Sequence, residues 1–128
     1  MSFTHTIGVT YKTAEGTIAS TTDTYTADAE YALDDTVAAS TTNKEFDLSL
    51  TKANIKSMVL YSDQAVTIKT NSTVASDTIV LAAKVQLVWN TDSQFSIPFA
   101  GNITKFFITN SGGVAANIKF RFLANQGV

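Results

Sequence analysis

Apolar and polar residues alternate along most of this chain, which is the period of a half-buried β-strand. Residues 2–11 show the pattern, with Phe3, Ile7 and Tyr11 on one side and mainly threonines on the other. The 3.6-residue period of an amphipathic helix is found nowhere in the sequence. We therefore expect an all-β protein of eight to ten short strands. The remaining strands are predicted at residues 17–25, 30–37, 44–51, 55–61, 66–70, 78–81, 85–89, 95–101, 103–110 and 118–122, with 78–81 and 85–89 as two strands or as one bent strand.

The stretch Ile103–Phe122 has the clearest signal, and we predict that it is a β-hairpin at the centre of the core. One face of each of its strands is largely apolar. The residues on these faces are Thr104, Phe106, Ile108, Ile118, Phe120 and Phe122. Between the strands lies Asn-Ser-Gly-Gly, which predicts a turn because Gly112 and Gly113 can adopt positive φ without steric cost.

Three other strands carry specific expectations. Residues 17–25 are mostly threonine and serine, so this strand should be exposed or at a sheet edge. Residues 55–61 are apolar on both sides, as in an interior strand covered on two faces. In the strand predicted at residues 95–101, Pro98 cannot donate to a ladder and should lie at an edge or a bulge.

Strands of this number and spacing favour an antiparallel β-sandwich, and within that class we favour a jelly roll. An immunoglobulin-like sandwich and a smaller Greek-key barrel are the alternatives, although the cysteines of the former are absent. We find no internal repeat and no linker. The prediction is a single domain over residues 1–128, with residues 1–26 as an arm or as added strands toward neighbouring subunits.

Charge is distributed unevenly although the formal net charge is only −2. Residues 13–43 contain six acidic and no basic residues, whereas residues 93–128 contain Lys105, Lys119 and Arg121 and no acidic residue. The two regions should face each other within one subunit, remain solvated, or pair between neighbouring subunits. A single arginine argues against a nucleic-acid-binding surface. No apolar run is long enough to span a membrane, and residues 2–11 do not resemble a secretion signal, so we expect synthesis in the cytoplasm.

Residues with catalytic or metal-binding chemistry are few. His5, the only histidine, lies on the apolar side of its strand, and we interpret it as a structural residue because no nucleophile motif accompanies it. Asp28, Glu30 and Asp34 are the best candidates for a calcium site, but calcium needs six or more oxygen ligands. We expect no enzymatic activity, no cofactor and no metal.

Aromatic residues give the clearest indication of a surface. Phe107 lies opposite the apolar face of its strand, and exposure of Tyr25, Tyr31 and Phe107 together would form a patch suited to a protein partner or a stacked sugar. Trp89 alternates with other apolar residues, which favours a position in the core over a sugar platform.

Residues 55–123 resemble small β-rich bacteriophage virion proteins, in particular head decoration or cement proteins. The similarity lies in IKSMVLYSDQAVTIKTNS, in the Val-Trp-Asn segment at residues 88–90, and in PFAGNITKFFITNSGG before the last apolar strand. This resemblance implies a β-sandwich that assembles on the capsid surface, commonly as a homotrimer, and clamps neighbouring copies of the major capsid protein.

Candidate interface residues follow from the exposed aromatics, the arm and the basic region. They are Phe3, Tyr11, Tyr25, Tyr31, Lys105, Phe107 and Arg121. The alternative function is a carbohydrate- or receptor-binding module of the tail-fibre or lectin-like kind, with a glycan as ligand.

Overall fold

The computed structural model describes residues 2–74 and 77–125. Within these residues the chain forms ten strands and a short 3-10 turn at Lys52–Asn54. The strands are β1 (Phe3–Thr13), β2 (Gly16–Ala27), β3 (Ala29–Val37), β4 (Thr41–Leu50), β5 (Ile55–Ser62), β6 (Val66–Thr70), β7 (Thr78–Leu81), β8 (Leu87–Asn90), β9 (Ile103–Asn110) and β10 (Ala116–Ala124). Of the loop predicted at residues 71–77, positions 75 and 76 lie outside the described part.

Strands β3 to β10 form two four-stranded antiparallel sheets that pack face to face, which confirms the predicted β-sandwich. Sheet I has the order β3-β10-β5-β8 and sheet II the order β4-β9-β6-β7. The strand pairing is nested in sequence: the first of these eight strands pairs with the last, the second with the second last, and so on inward. The pairs are β3·β10, β4·β9, β5·β8 and β6·β7. This is the strand arrangement of a jelly roll.

The core lies between the two sheets and is built from alternate residues of each strand. Strand β10 illustrates the rule, since Ile118, Phe120 and Phe122 are buried while Asn117 and Lys119 are exposed. Each such apolar side chain contributes roughly 1.5–3 kcal/mol when it is fully buried. Strand β5 is interior to sheet I, as its apolar pattern predicted.

The predicted hairpin at Ile103–Phe122 is wrong in its pairing. Strand β9 belongs to sheet II and β10 to sheet I, so the chain crosses from one sheet to the other and the two strands do not hydrogen-bond to each other. Their apolar faces meet across the core instead. The ring centroids of Phe106 and Phe120 are 6.0 Å apart, and those of Phe106 and Phe122 are 5.8 Å apart.

Asn110 holds the connection between these strands. Its buried amide nitrogen donates to the carbonyl of Val37 (3.1 Å) and of Val114 (2.8 Å), and its Oδ1 accepts from the Gly112 N–H (3.1 Å). Gly112 is needed for close approach, because a Cβ there would lie 3.3 Å from Oδ1. The expected positive φ at Gly112 and Gly113 is wrong, and the described glycine with positive φ is Gly16.

The strand predicted at residues 95–101 is also wrong, since residues 91–102 form a loop. In a strand, Phe95 and Phe99 would share one face, but Phe95 is 67 % exposed and Phe99 only 2 %. The Phe99 ring packs against both Phe106 and Phe122, with a centroid distance of 6.3 Å to each. Pro98 supplies no N–H, so the loop enters the core without adding a strand.

Residues 3–27 form a separate two-stranded sheet, hereafter the arm. Strands β1 and β2 pair with each other from Phe3↔Ala27 to Thr13↔Gly16, and neither belongs to sheet I or sheet II. Gly16 turns the chain at the tip with a φ of 125°. Ile18 is an extra residue in the register, because Tyr11 lies opposite Ala19 and Lys12 opposite Thr17.

Candidate interaction surface of the arm

The arm has one apolar and one polar face. In an antiparallel pair, directly opposite residues point to the same side of the ribbon. The apolar face carries alternate residues of β1 with their β2 partners, namely Phe3, His5, Ile7, Val9 and Tyr11 with Ala27, Tyr25, Asp23, Thr21 and Ala19. On the polar face, small hydroxyl side chains pair across the strands, as in Thr4 with Thr26 (3.3 Å) and Thr10 with Ser20 (3.1 Å). The arm is therefore an amphipathic ribbon.

The base of the apolar face covers the outer surface of sheet I. Phe3 and His5 are half-buried there. Ser57 and Leu123 are register partners on the outer side of the sheet, yet both are buried. The arm thus shields this part of the outer face of sheet I from solvent.

Three polar contacts, made by His5 and Tyr25, fix the base of the arm. His5 Nε2 lies 2.8 Å from Oε2 of Glu30, and His5 Nδ1 lies 3.3 Å from Oγ of Ser57. The Tyr25 hydroxyl donates to Oδ2 of Asp92 at 2.9 Å. Burial and this hydrogen bond raise the pKa of Tyr25 to about 12.

Ser57, His5 and Glu30 have the residue types of a hydrolytic triad, but their setting is that of an anchor. Ser57 is 1 % exposed beneath the arm, and its strand is paired on both sides. All three side chains also line the cleft described next, although Ser57 itself has little exposed surface. We interpret the three side chains as the attachment of β1 to sheet I.

A cleft of about 470 Å³ opens beside this anchor, between the arm and sheet I. Ile7, Val59 and Val88 form its apolar part, and Arg121 is among its polar lining residues. Arg121 makes a bidentate contact with Asp34, with both nitrogen–oxygen distances 2.8 Å. This hydrogen bonding lowers the pKa of Asp34 and raises the pKa of Arg121.

The distal half of the arm has no cover within the described chain. Val9 is exposed, Tyr11 is 63 % exposed and Ile18 is 66 % exposed. The apolar face that seats the base therefore continues past the sandwich into solvent. We call Val9, Tyr11 and Ala19 the distal strip.

The seven candidate interface residues fall on three separate surfaces. Phe3, Tyr11 and Tyr25 share the apolar face of the arm, and Arg121 lines the cleft beside it. Tyr31 packs at the edge of the core, with its ring centroid 6.2 Å from that of Phe122.

Lys105 and Phe107 lie on the outer face of sheet II. Phe107 is half-buried and has Glu45 and Lys69 as register partners, so Tyr25, Tyr31 and Phe107 are not exposed together as one patch. Lys105 binds Glu45 at 2.8 Å and Asp47 at 2.7 Å, and these hydrogen bonds raise its pKa.

The complementary charged regions meet within the subunit, at least at Arg121 and Asp34. The basic residues of region 93–128 do not share one surface, because Lys105 lies in β9 of sheet II and Lys119 and Arg121 lie in β10 of sheet I. Among the described residues, Asp28, Glu30 and Asp34 do not form a metal-binding group.

Sequence reasoning missed the cleft and most of the distal strip. The signal for the strip was present, because the alternation of β1 runs on through Val9 to Tyr11. Nothing in the sequence indicates where the sandwich stops covering that face. Trp89, by contrast, packs against the core as expected and donates its indole N–H to the Phe95 carbonyl at 3.0 Å.

No protein-family model, curated protein or solved structure matches this chain. Among the described residues, no helix is long and apolar enough to span a membrane.

Proposed function

We propose that this protein is a structural component of a bacteriophage virion, one that decorates the capsid surface and stabilises it by binding across coat subunits. The observation that carries the proposal is the arm, an amphipathic ribbon whose apolar face continues beyond the sandwich that it covers. Such a surface serves contact with another protein, because exposed apolar area of this kind marks interaction sites.

The stability of the arm supports this proposal. An isolated two-stranded hairpin is at best marginally stable in water. Strands β1 and β2 are 11 and 12 residues long, and their distal residues are exposed on both faces. A surface outside the described chain that covers the distal strip would stabilise this half of the arm. Decoration supplies such a surface.

The fold and the resemblance of residues 55–123 agree with the proposal but do not select it. Jelly rolls occur in viral capsid proteins and also in lectins. Function is decided by the site and not by the fold.

Glycan binding is the second candidate, and the cleft of about 470 Å³ is the observation in its favour. Sugar sites commonly place an aromatic ring under the sugar. Within the described residues, no phenylalanine, tyrosine or tryptophan lines this cleft. Decoration is therefore the better supported function.

Cosedimentation with expanded capsids that lack this protein tests the proposal. We expect the wild-type protein to pellet at a saturating ratio, and the double variant V9S/Y11S to pellet much less. Val114→Ser is the matched control, because Val114 is similarly exposed but lies in the connection between β9 and β10. Protein that stays in the supernatant at micromolar concentration while binding a glycan would refute decoration.

A further inference from the structure

We infer, building on the proposed function, that the distal strip of the arm docks on the outer face of sheet I of a second copy of this chain. The partner named is thus another molecule of the same protein, and the contact is between faces and not between strand edges.

Continuity of the apolar face is the first reason. The base of this face already seats on the outer side of sheet I in its own subunit, through Phe3 and His5. The same alternation continues to Val9 and Tyr11 without a change in chemistry. A surface that fits sheet I at its base is suited to the same sheet of a neighbour.

The path of the arm supplies the second reason. The chain enters β3 directly from β2, His5 contacts β3 and β5, and the cleft beside Gly8 is lined by Gln86 and Val88 at β8. The base of the arm therefore lies over sheet I between β3 and β8, and the chain around Gly8 passes beside β8 as the arm leaves the sheet. A copy placed beside β8 would present its own sheet to the distal strip.

The receiving face is the third reason. Val59, Tyr61 and Val88 on the outer side of sheet I are only half-buried, so the arm of the same subunit leaves part of this face uncovered. The outer face of sheet II is less suitable, because Lys105, Glu45 and Asp47 form a charged cluster there.

Charge complementarity is the fourth reason. Asp23 lies opposite Ile7 on the apolar face of the arm, and Lys119 lies beside Tyr61 on the outer face of sheet I. Both are exposed, and within the described chain neither makes an ion pair. Lys119 lies opposite Asp34 and helps to lower the pKa of that carboxylate, but the ion pair of Asp34 is with Arg121. Asp23 of one copy and Lys119 of the next form a complementary pair.

The first test measures the mass of the purified protein, without capsids, by sedimentation velocity over a concentration series up to about 100 µM, where even weak association is visible. We expect the wild-type protein to self-associate and V9S/Y11S to be monomeric. The matched control T10S/T22S changes the polar face at the same distance from the tip, and it should associate like wild type. Circular dichroism melting shows that each variant keeps the folded sandwich.

The second test is a charge exchange. Asp23→Lys and Lys119→Asp should each weaken self-association roughly 10-fold, and the two together should restore it to within about 3-fold of wild type. A monomeric wild-type protein, a V9S/Y11S variant that still associates, or a double variant without recovery would each overturn the inference.

The two proposals fail in different ways. If the protein is monomeric in solution but pellets with capsids through its distal strip, the coat protein binds the strip. The inference then fails and decoration stands. A protein that self-associates as described but never pellets with capsids refutes decoration alone.

Discussion

His5 and Tyr25 lie directly opposite each other in the arm, yet their side chains reach opposite edges of sheet I. His5 contacts Glu30 in the edge strand β3, and Tyr25 donates to Asp92 just after the other edge strand, β8. Together they hold the arm at two well-separated points. The direction in which the distal strip points is therefore set by two hydrogen-bonded residues at the base.

Replacing Tyr25 with Phe should loosen the arm without unfolding the sandwich. The variant loses the hydrogen bond to Asp92, which is worth on the order of 1 kcal/mol. Hydrogen exchange should show faster exchange of the amides in β1 and β2 and unchanged protection in β5 and β10. Tyr11→Phe is the control, since that ring is exposed. Equal protection in both variants would mean that the Asp92 contact does not hold the arm.

Because of the same contact, the attachment of the arm to its own sandwich should weaken at high pH. The pKa of Tyr25 is about 12 in the folded protein, and that of an unfolded tyrosine is about 10. A raised pKa means that the contact contributes fully below about pH 10 and is lost as the pH rises through about 12. Tyrosinate absorbance should therefore show a late transition at about pH 12 that Tyr25→Phe removes. A wild-type titration that ends near pH 10 would contradict this.

The loop at residues 91–102 should contribute to stability mainly through Phe99. Phe99→Ala should lower the free energy of unfolding by about 3–5 kcal/mol, because it leaves a cavity against Phe106 and Phe122. Phe95→Ala in the same loop should change it by less than about 0.5 kcal/mol, since Phe95 is exposed. Urea denaturation measures both. Similar decreases in the free energy of unfolding for Phe99→Ala and Phe95→Ala would indicate a regular strand at residues 95–101 in place of the loop.

Asn110→Ala should destabilise the sandwich by about 1–3 kcal/mol, because the carbonyls of Val37 and Val114 lose their donor in a buried setting. The neighbouring change Ser111→Ala affects an exposed residue and serves as the control. Thermal melting followed by circular dichroism measures the difference. A stability equal to wild type in Asn110→Ala would mean that water satisfies both carbonyls.

The local alternation of apolar and polar residues predicted most strands of this fold. It failed where the pairing of a strand depends on residues far away in sequence. The alternation in β9 and β10 correctly placed Phe106 and Phe120 in one core. It could not distinguish a hydrogen-bonded hairpin from a crossing between sheets, because both bury the same residues. At residues 95–101 the alternation was misleading, since Phe99 is buried and Ile97 packs against the core while Phe95 is exposed.

The candidate surface was predictable only in part. The composition and alternation of residues 2–25 indicated an exposed amphipathic segment, and Tyr11 was recognised on it. The pairing of Arg121 with Asp34 was beyond prediction, because the two residues are brought together by strands far apart in sequence. The cleft depends on where the arm leaves the sheet, which no local pattern encodes.

The nested strand order has a consequence for biosynthesis. Strand β10 is the last of the eight sandwich strands to leave the ribosome, yet it lies between β3 and β5 in the middle of sheet I. Until it arrives, β3 has no neighbour in that sheet, and pairing over such sequence distances is slow. Sheet I therefore closes late, and a nascent chain stalled before β10 exposes two strand edges to chaperones or to aggregation.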